Sequence, residues 1–225
     1  MIDFQLSDTK EIWKIGFDFE DEARSRGFLN IAGLDEVGRG CLAGPVVAAA
    51  CILDPQRPVP AAINDSKKLT AKQRTEIALE LRENAAAFAI AETDAPTIDR
   101  INILEATKQA MRAALASLTP AADFLLIDAL ELRDIRLPQR AIIKGDSISY
   151  SIAAASILAK TYRDEMMERY DSEFPDYGFS SHMGYGTRQH YDALTKLGPC
   201  PLHRRSFRGV CDADNFMVSQ SAELF

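Results

Sequence analysis

The sequence has no apolar run long enough to span a bilayer. Its acidic, polar N-terminus is unlike a signal peptide, so a cytoplasmic protein is expected. The four cysteines, Cys41, Cys51, Cys200 and Cys211, form no C-x-x-C pair, which argues against a thiolate zinc site or a redox dithiol and for reduced thiols. The three histidines, His182, His190 and His203, have no H-E-x-x-H spacing and read as structural or substrate-side residues. No internal repeat, low-complexity tract or long linker is present. With a net charge of −7, the chain does not hold nucleic acid by bulk electrostatics.

What is present is an ordinary globular composition, 47% hydrophobic and 26% charged over 225 residues. Charge is unevenly spread. Residues 65–74 (DSKKLTAKQR) hold four bases against Asp65, and residues 196–208 carry Lys196, Arg204, Arg205 and Arg208 with no acid. Two basic patches on an acidic body suit local phosphate contacts, and equally suit solvated surface.

The most informative stretch is IAGLDEVGRG, residues 31–40. Adjacent carboxylates, Asp35 and Glu36, close a short apolar run. Neighbouring strand residues point to opposite faces, so the two acids are expected to share a site where the strand ends. Acids held close resist joint ionisation unless a cation lies between them. The glycines of the following turn let backbone N–H groups approach a ligand.

Along the chain, residues 8–27 read as an amphipathic helical arm. Strands are expected over 31–35, 88–93 and 124–128. Residues 46–53 read as a strand, but Pro45 and the alanines also suit a helix. Thr70 and Gln73 form a capping box that opens a helix to about Asn84. One helix is expected over 97–118, and another starting at Asp146. Its stripe of Ile148, Ile152, Ala155, Ala159, Tyr162 and Met166 has core-facing spacing. The order of elements indicates an α/β layer fold.

Asp128, like Asp35 and Glu36, ends a strand, where α/β folds usually place their chemistry. Asp146 alone would read as a helix N-cap. Four carboxylates with few histidines favour Mg²⁺ or Mn²⁺ over zinc. Two such ions about 3.5–4 Å apart are the machinery of phosphodiester hydrolysis.

Beyond these readings, the chain resembles bacterial ribonuclease HII, the type 2 ribonuclease H. The matching stretches are AGLDEVGRGCLAGPVVAAACIL (32–53), DSKKL (65–69), LLIDAL (125–130), KGDSISYSIAAASILAKTYRD (144–164), YGFSSHMGYGTRQH (177–190) and GPCPLHRRSF (198–207). The resemblance implies a ribonuclease H-like fold, a mixed central sheet flanked by helices, with a helical C-terminal region. It divides the chain into an arm (1–27), a catalytic domain (28–208) and a tail (209–225).

It also implies hydrolysis of RNA in RNA–DNA hybrids and nicking on the 5′ side of a ribonucleotide embedded in duplex DNA, leaving 5′-phosphate and 3′-hydroxyl ends. The family's metal-binding acids fall on Asp35, Glu36, Asp128 and Asp146, so Asp146 would be both cap and catalytic acid. The backbone that reads the ribose 2′-hydroxyl falls on Gly38, Arg39 and Gly40. The tyrosine that packs on the following deoxyribose falls on Tyr185. Ser66, Lys67 or Lys68 would hold a backbone phosphate. Cys41, Ala129 and Met183 depart from the commonest family residues without removing any of these groups.

The expected partners are therefore RNA–DNA hybrid and ribonucleotide-containing duplex, with no membrane and nothing demanding more than a monomer. The ending Gln220-Ser-Ala-Glu-Leu224-Phe225 faintly resembles a sliding-clamp-binding peptide, with a disordered tail as the alternative. Two rivals come from other classes. Gly38-x-Gly40-x-x-x-Gly44 could be a dinucleotide-binding loop with Asp65 as its ribose acid. A non-catalytic nucleic-acid module is the second, against which all four acids are retained.

Overall fold

The alanine-rich run after Pro45, open between strand and helix in the sequence, is a strand. In the computed structural model, which describes residues 14–61, 63, 66 and 69–212, Val46–Leu53 (β2) is buried along its whole length. Ala48, Ala50 and Ile52 face one core and Val47, Ala49 and Cys51 the other. Burial on both faces removes the polar alternation that would mark a strand, and small side chains let helices press on each side.

Strand β2 lies between Ile31–Val37 (β1) and Ala85–Thr93 (β3), antiparallel to both. Phe124–Asp128 (β4) pairs parallel with β1, and Gln139–Ile142 (β5) parallel with β4. Among the described residues the sheet order is β3-β2-β1-β4-β5. This is the mixed sheet that the ribonuclease H-like expectation required. The short, partly exposed β5 was not anticipated, since four residues give no periodicity to read.

Of the arm, Asp18–Ser25 (α1) is helical, and Gly27 beyond it has φ +93°; residues 8–13 lie outside the described residues. The capping box opens Ala71–Asn84 (α2) as expected: Gln73 N–H donates to Thr70 Oγ1 at 3.3 Å and Thr70 N–H to Gln73 Oε1 at 2.9 Å. Strand β3 follows directly, starting three residues before the expected position.

The single helix expected over 97–118 is two, Ala95–Ile101 (α3) and Ile103–Ala116 (α4). Asn102 adopts φ +69° and caps α4, accepting from the N–H groups of Leu104 and Glu105 at 3.0 and 3.1 Å. The Asn102 side chain supplies the cap, so the chain breaks here without a glycine, in a conformation that a non-glycine residue rarely adopts.

The helix expected from Asp146 instead begins at Tyr150. Tyr150–Glu173 (α5) is capped by Ser149, whose side chain accepts from Ile152 N–H; Gly145–Ser147 forms a 3₁₀ turn before it. Asp146 therefore is not the cap. Glu20 of α1 is wholly buried and accepts from Ser149 Oγ at 2.7 Å and Ser151 N–H at 2.9 Å, tying α1 to this helix start. Two short helices, Phe179–His182 (α6) and Arg188–Leu197 (α7), complete the C-terminal region.

Candidate active site

The β1–β4 ladder ends at Leu34 opposite Ile127, so Asp35 and Asp128 are the next residues on adjacent parallel strands. On the other side β1 stays paired with β2 as far as Val37. The expected strand end is thus real on the β4 side only, and Glu36 still lies within β1.

Asp35 is buried, accepts from Glu36 N–H at 2.8 Å and also meets the Ser156 hydroxyl of α5. Its carboxyl is pushed well above the usual range, first by burial and then by the charge of Glu36, with Asp128 adding to it; the hydrogen bonds from Ser156 and Glu36 N–H only partly oppose the shift. Asp128 accepts from Gly145 N–H at 2.8 Å. That bond holds the turn carrying Asp146, which is buried and accepts from Ser147 Oγ at 3.3 Å. Glu36 reaches Arg39, 3.1 Å away.

Among the described residues no three His, Cys, Asp or Glu side chains stand tightly enough to enclose an ion as they are. Glu36 is drawn toward Arg39 and Asp128 toward Gly145, so a cation would have to draw them inward. The crowding of charge around Asp35 is nonetheless what a divalent ion would relieve, and an all-oxygen donor set suits a hard one.

Beside the acids, Gly38 has φ +88°, and a Cβ there would lie 2.3 Å from Arg163 Nε. Gly40 faces open space. The loop leads into strand β2 rather than a helix, which removes the dinucleotide-loop rival, since that motif needs a helix N-terminus.

Two buried arginines hold the loop. Arg163 donates to the carbonyls of Pro45 at 3.1 Å, Met183 at 2.8 Å and Ala43 at 3.1 Å. Arg204 donates from Nη1 to Arg39 O at 2.9 Å, and from Nε and Nη2 to Gly44 O at 3.0 and 2.9 Å. Burial lowers the Arg204 guanidinium to about 10, still charged at neutral pH.

Tyr185, 42% exposed, belongs to the same assembly. Its hydroxyl meets Cys41, Leu42 N–H donates to Gly184 O at 2.8 Å, and Arg163 spans both loops. The fold thus brings Asp35, Glu36 and Asp128 together, and sets Gly38–Gly40 beside Tyr185.

Ser66 departs from its expected part. It is buried and its hydroxyl pairs with Ser156 Oγ at 2.9 Å, turned inward instead of toward a phosphate. Lys67, Lys68 and Asp65 lie outside the described residues. Arg74 anchors this segment through Ser66 O at 3.1 Å and Leu69 O at 2.7 Å.

Sequence reasoning missed Arg163, Arg204 and Ser156. For Arg163 and Ser156 the available signal was a polar residue on an otherwise apolar face of a helix, where a buried polar group needs a defined partner; Arg204, next to Arg205 in a basic stretch, carried none.

A profile of the ribonuclease HII family matches residues 32–210. The chain belongs to the ribonuclease HII family. A ribonuclease HII of Solibacter usitatus is 51% identical over 205 residues, covering 91% of this chain and 89% of that protein. One from Chlamydia abortus is 54% identical over 193 residues, covering 85% and 90%. Solved structures agree in fold. Ribonuclease H2 of Pyrococcus horikoshii OT3 superposes with TM-score 0.70 at 23% identity, covering 84% of this chain and 99% of that one. The ribonuclease HII in a PCNA complex from Archaeoglobus fulgidus gives 0.68 at 26% identity, covering 80% and 96%. The family assignment makes the chain a ribonuclease H enzyme, acting on RNA in RNA–DNA hybrids. Among the described residues no helix is long and apolar enough to cross a membrane.

Proposed function

We propose that the enzyme nicks duplex DNA on the 5′ side of a single embedded ribonucleotide, as well as cutting RNA in hybrids, and so serves ribonucleotide removal in DNA repair and replication. The observation that carries the reading is the meeting of two sites. Asp35 and Asp128, crowded with negative charge, lie beside a glycine loop braced from below by Arg163 and Arg204.

Asp35, Glu36, Asp128 and Asp146 would hold divalent ions. Bound Mg²⁺ or Mn²⁺ would supply an activated water and neutralise charge on the departing 3′-oxygen. The residues of the chain do the selecting. Backbone groups of Gly38, Arg39 and Gly40 would contact the 2′-hydroxyl, the one group that separates ribose from deoxyribose. Gly40 leaves the room such an approach needs. The half-exposed ring of Tyr185 would pack on the next sugar, where a second 2′-hydroxyl would spoil the fit. Lys67 and Lys68 would neutralise a backbone phosphate; Ser66 would contribute only its main chain. The ending 220–225 would give a contact with a sliding clamp, a reading supported by the PCNA complex of the Archaeoglobus relative.

The test is a labelled duplex carrying one ribonucleotide, incubated with Mg²⁺, Mn²⁺ or EDTA. A metal-dependent nick 5′ to the ribonucleotide is expected. Its absence, in a preparation that cuts a uniform hybrid, would overturn the single-ribonucleotide reading.

A further inference from the structure

Beneath Tyr185 lie three buried histidines that the catalytic reading leaves unused. His182 and His190 stack at 4.3 Å between ring centres, and the Phe179 ring stands nearly perpendicular to both. His190 Nε2 lies 2.9 Å from His203 Nε2. His190 Nδ1 lies 2.9 Å from the carbonyl of Tyr185, and Cys200 N–H donates to His203 Nδ1 at 3.0 Å.

The proton positions follow from the partners. A carbonyl only accepts, so His190 carries its proton on Nδ1, and its Nε2 must accept. A backbone N–H only donates, so His203 Nδ1 is bare and its proton sits on Nε2. The two rings therefore fit: His203 Nε2–H donates to His190 Nε2. His182 obeys the same logic, donating from Nε2 to Tyr177 O at 2.9 Å and accepting Gly184 N–H on Nδ1 at 3.2 Å. Every histidine is neutral and in a single tautomer. Protonating His190 or His203 would set two donors face to face.

We propose that His203 and His190 form a positioning relay, from Cys200 N–H to the carbonyl of Tyr185, that fixes the Tyr185 ring where it discriminates the sugar after the cut ribonucleotide. The inference rests on the sugar-reading part proposed above for Tyr185. Its geometry is directional: the relay ends on the peptide group of the residue whose ring does the reading. Thr187 N–H also donates to that carbonyl, at 2.8 Å, so the peptide is held from two sides. Burial keeps His190 and His203 at about 4, which leaves the relay neutral at the pH of the cell.

The measurable quantity is junction preference, the ratio of kcat/KM on a duplex with one ribonucleotide to that on a uniform hybrid. His190→Leu should lower this ratio about tenfold or more, as a small misplacement of a positioning group does, with the loss in kcat. His190→Asn, whose amide can donate where Nδ1–H stood, should recover most of it. An unchanged ratio in a folded His190→Leu overturns the relay. If that variant does not fold, His203→Gln against His203→Leu makes the same comparison one link away. Nitrogen-15 NMR of histidine in the unaltered enzyme tests the relay without any variant. Protons on His190 Nδ1 and His203 Nε2 are required, and the opposite tautomers overturn it. Tyr185→Ala separates the two readings. If it keeps the preference, the sugar-reading assignment fails; if it loses the preference while His190→Leu keeps it, the relay alone fails.

Discussion

Arg204 Nη1 donates to the carbonyl of Arg39 at 2.9 Å, joining residues 165 apart in sequence at the middle of the Gly38–Gly40 turn. The same guanidinium grips Gly44 O with its other donors. The turn is thus shaped from beneath by a group that need not touch substrate. Arg204→Met would leave these carbonyls without their donor and should cost about 3 kcal/mol or more. Cleavage at an embedded ribonucleotide should fall at least about tenfold, because the turn loses its fixed shape. Urea melts and nicking rates check both; wild-type behaviour in both would show that the turn holds itself.

The two turn glycines should behave differently. Gly40→Ala meets no atom within 4 Å and has no positive φ, so stability should stay within about 0.5 kcal/mol. Its new methyl would occupy the space proposed for the ribose, and nicking should fall about tenfold or more. Gly38→Ala combines φ +88° with a clash on Arg163 and should destabilise by about 2 kcal/mol or more. A fully active Gly40→Ala enzyme would remove that residue from the sugar contact.

Asp35 is held among like charges in a buried place. Asp35→Asn relieves the repulsion, so the metal-free protein should gain roughly 1 kcal/mol while activity disappears. At this chain length that corresponds to about 3 °C in Tm. Added Mn²⁺ should raise the Tm of the wild type and leave Asp35→Asn nearly unmoved, since only a bound ion stabilises. A metal-free Tm that falls on substitution would mean the crowding is already neutralised within the protein.

The histidine pair sets an acid limit. His190 and His203 are lowered to about 4 in the fold, against about 6.5 in an unfolded chain. Between these values the unfolded chain binds protons that the native state refuses. Their contribution is therefore complete above pH 6.5 and is lost as pH falls toward 4, on the order of a few kcal/mol for the pair. Melts from pH 7.5 to 4.5 should show the decline, and it should be smaller in a folded His190→Asn. A flat profile through pH 5 would show that the buried rings accept protons without cost.

Much of the scaffold was legible because it is local. The Thr70–Gln73 capping box and the apolar 124–128 strand are short-range signals, and both elements lie where their residues required. Other boundaries turned on which of several local caps the chain uses, a choice that periodicity does not make. Ser149, not Asp146, caps α5, and Asn102 splits one periodic helix into two. The acids were visible by their chemistry and by resemblance. Arg163 and Arg204 were not, because each works through carbonyls distant in sequence, and a basic residue alone does not reveal whether it faces water. The inward turn of the Ser66 hydroxyl was hidden for the same reason: its partner, Ser156, lies 90 residues away.

Gly33 fixes the phase between strand and helix. A Cβ there would lie 2.0 Å from the carbonyl carbon of Ser151, so β1 and α5 touch backbone to backbone at this point. From it a strand climbs about 3.3 Å per residue and a helix about 1.5 Å. Two steps to Asp35 and five to Ser156 both cover about 7 Å by those rises. The two elements behave as the scales of a vernier whose marks coincide again at the carboxylate, where the Ser156 hydroxyl meets Asp35. Any side chain at 33 would push the scales apart and bring serine and aspartate out of step, without altering a single group in the site itself.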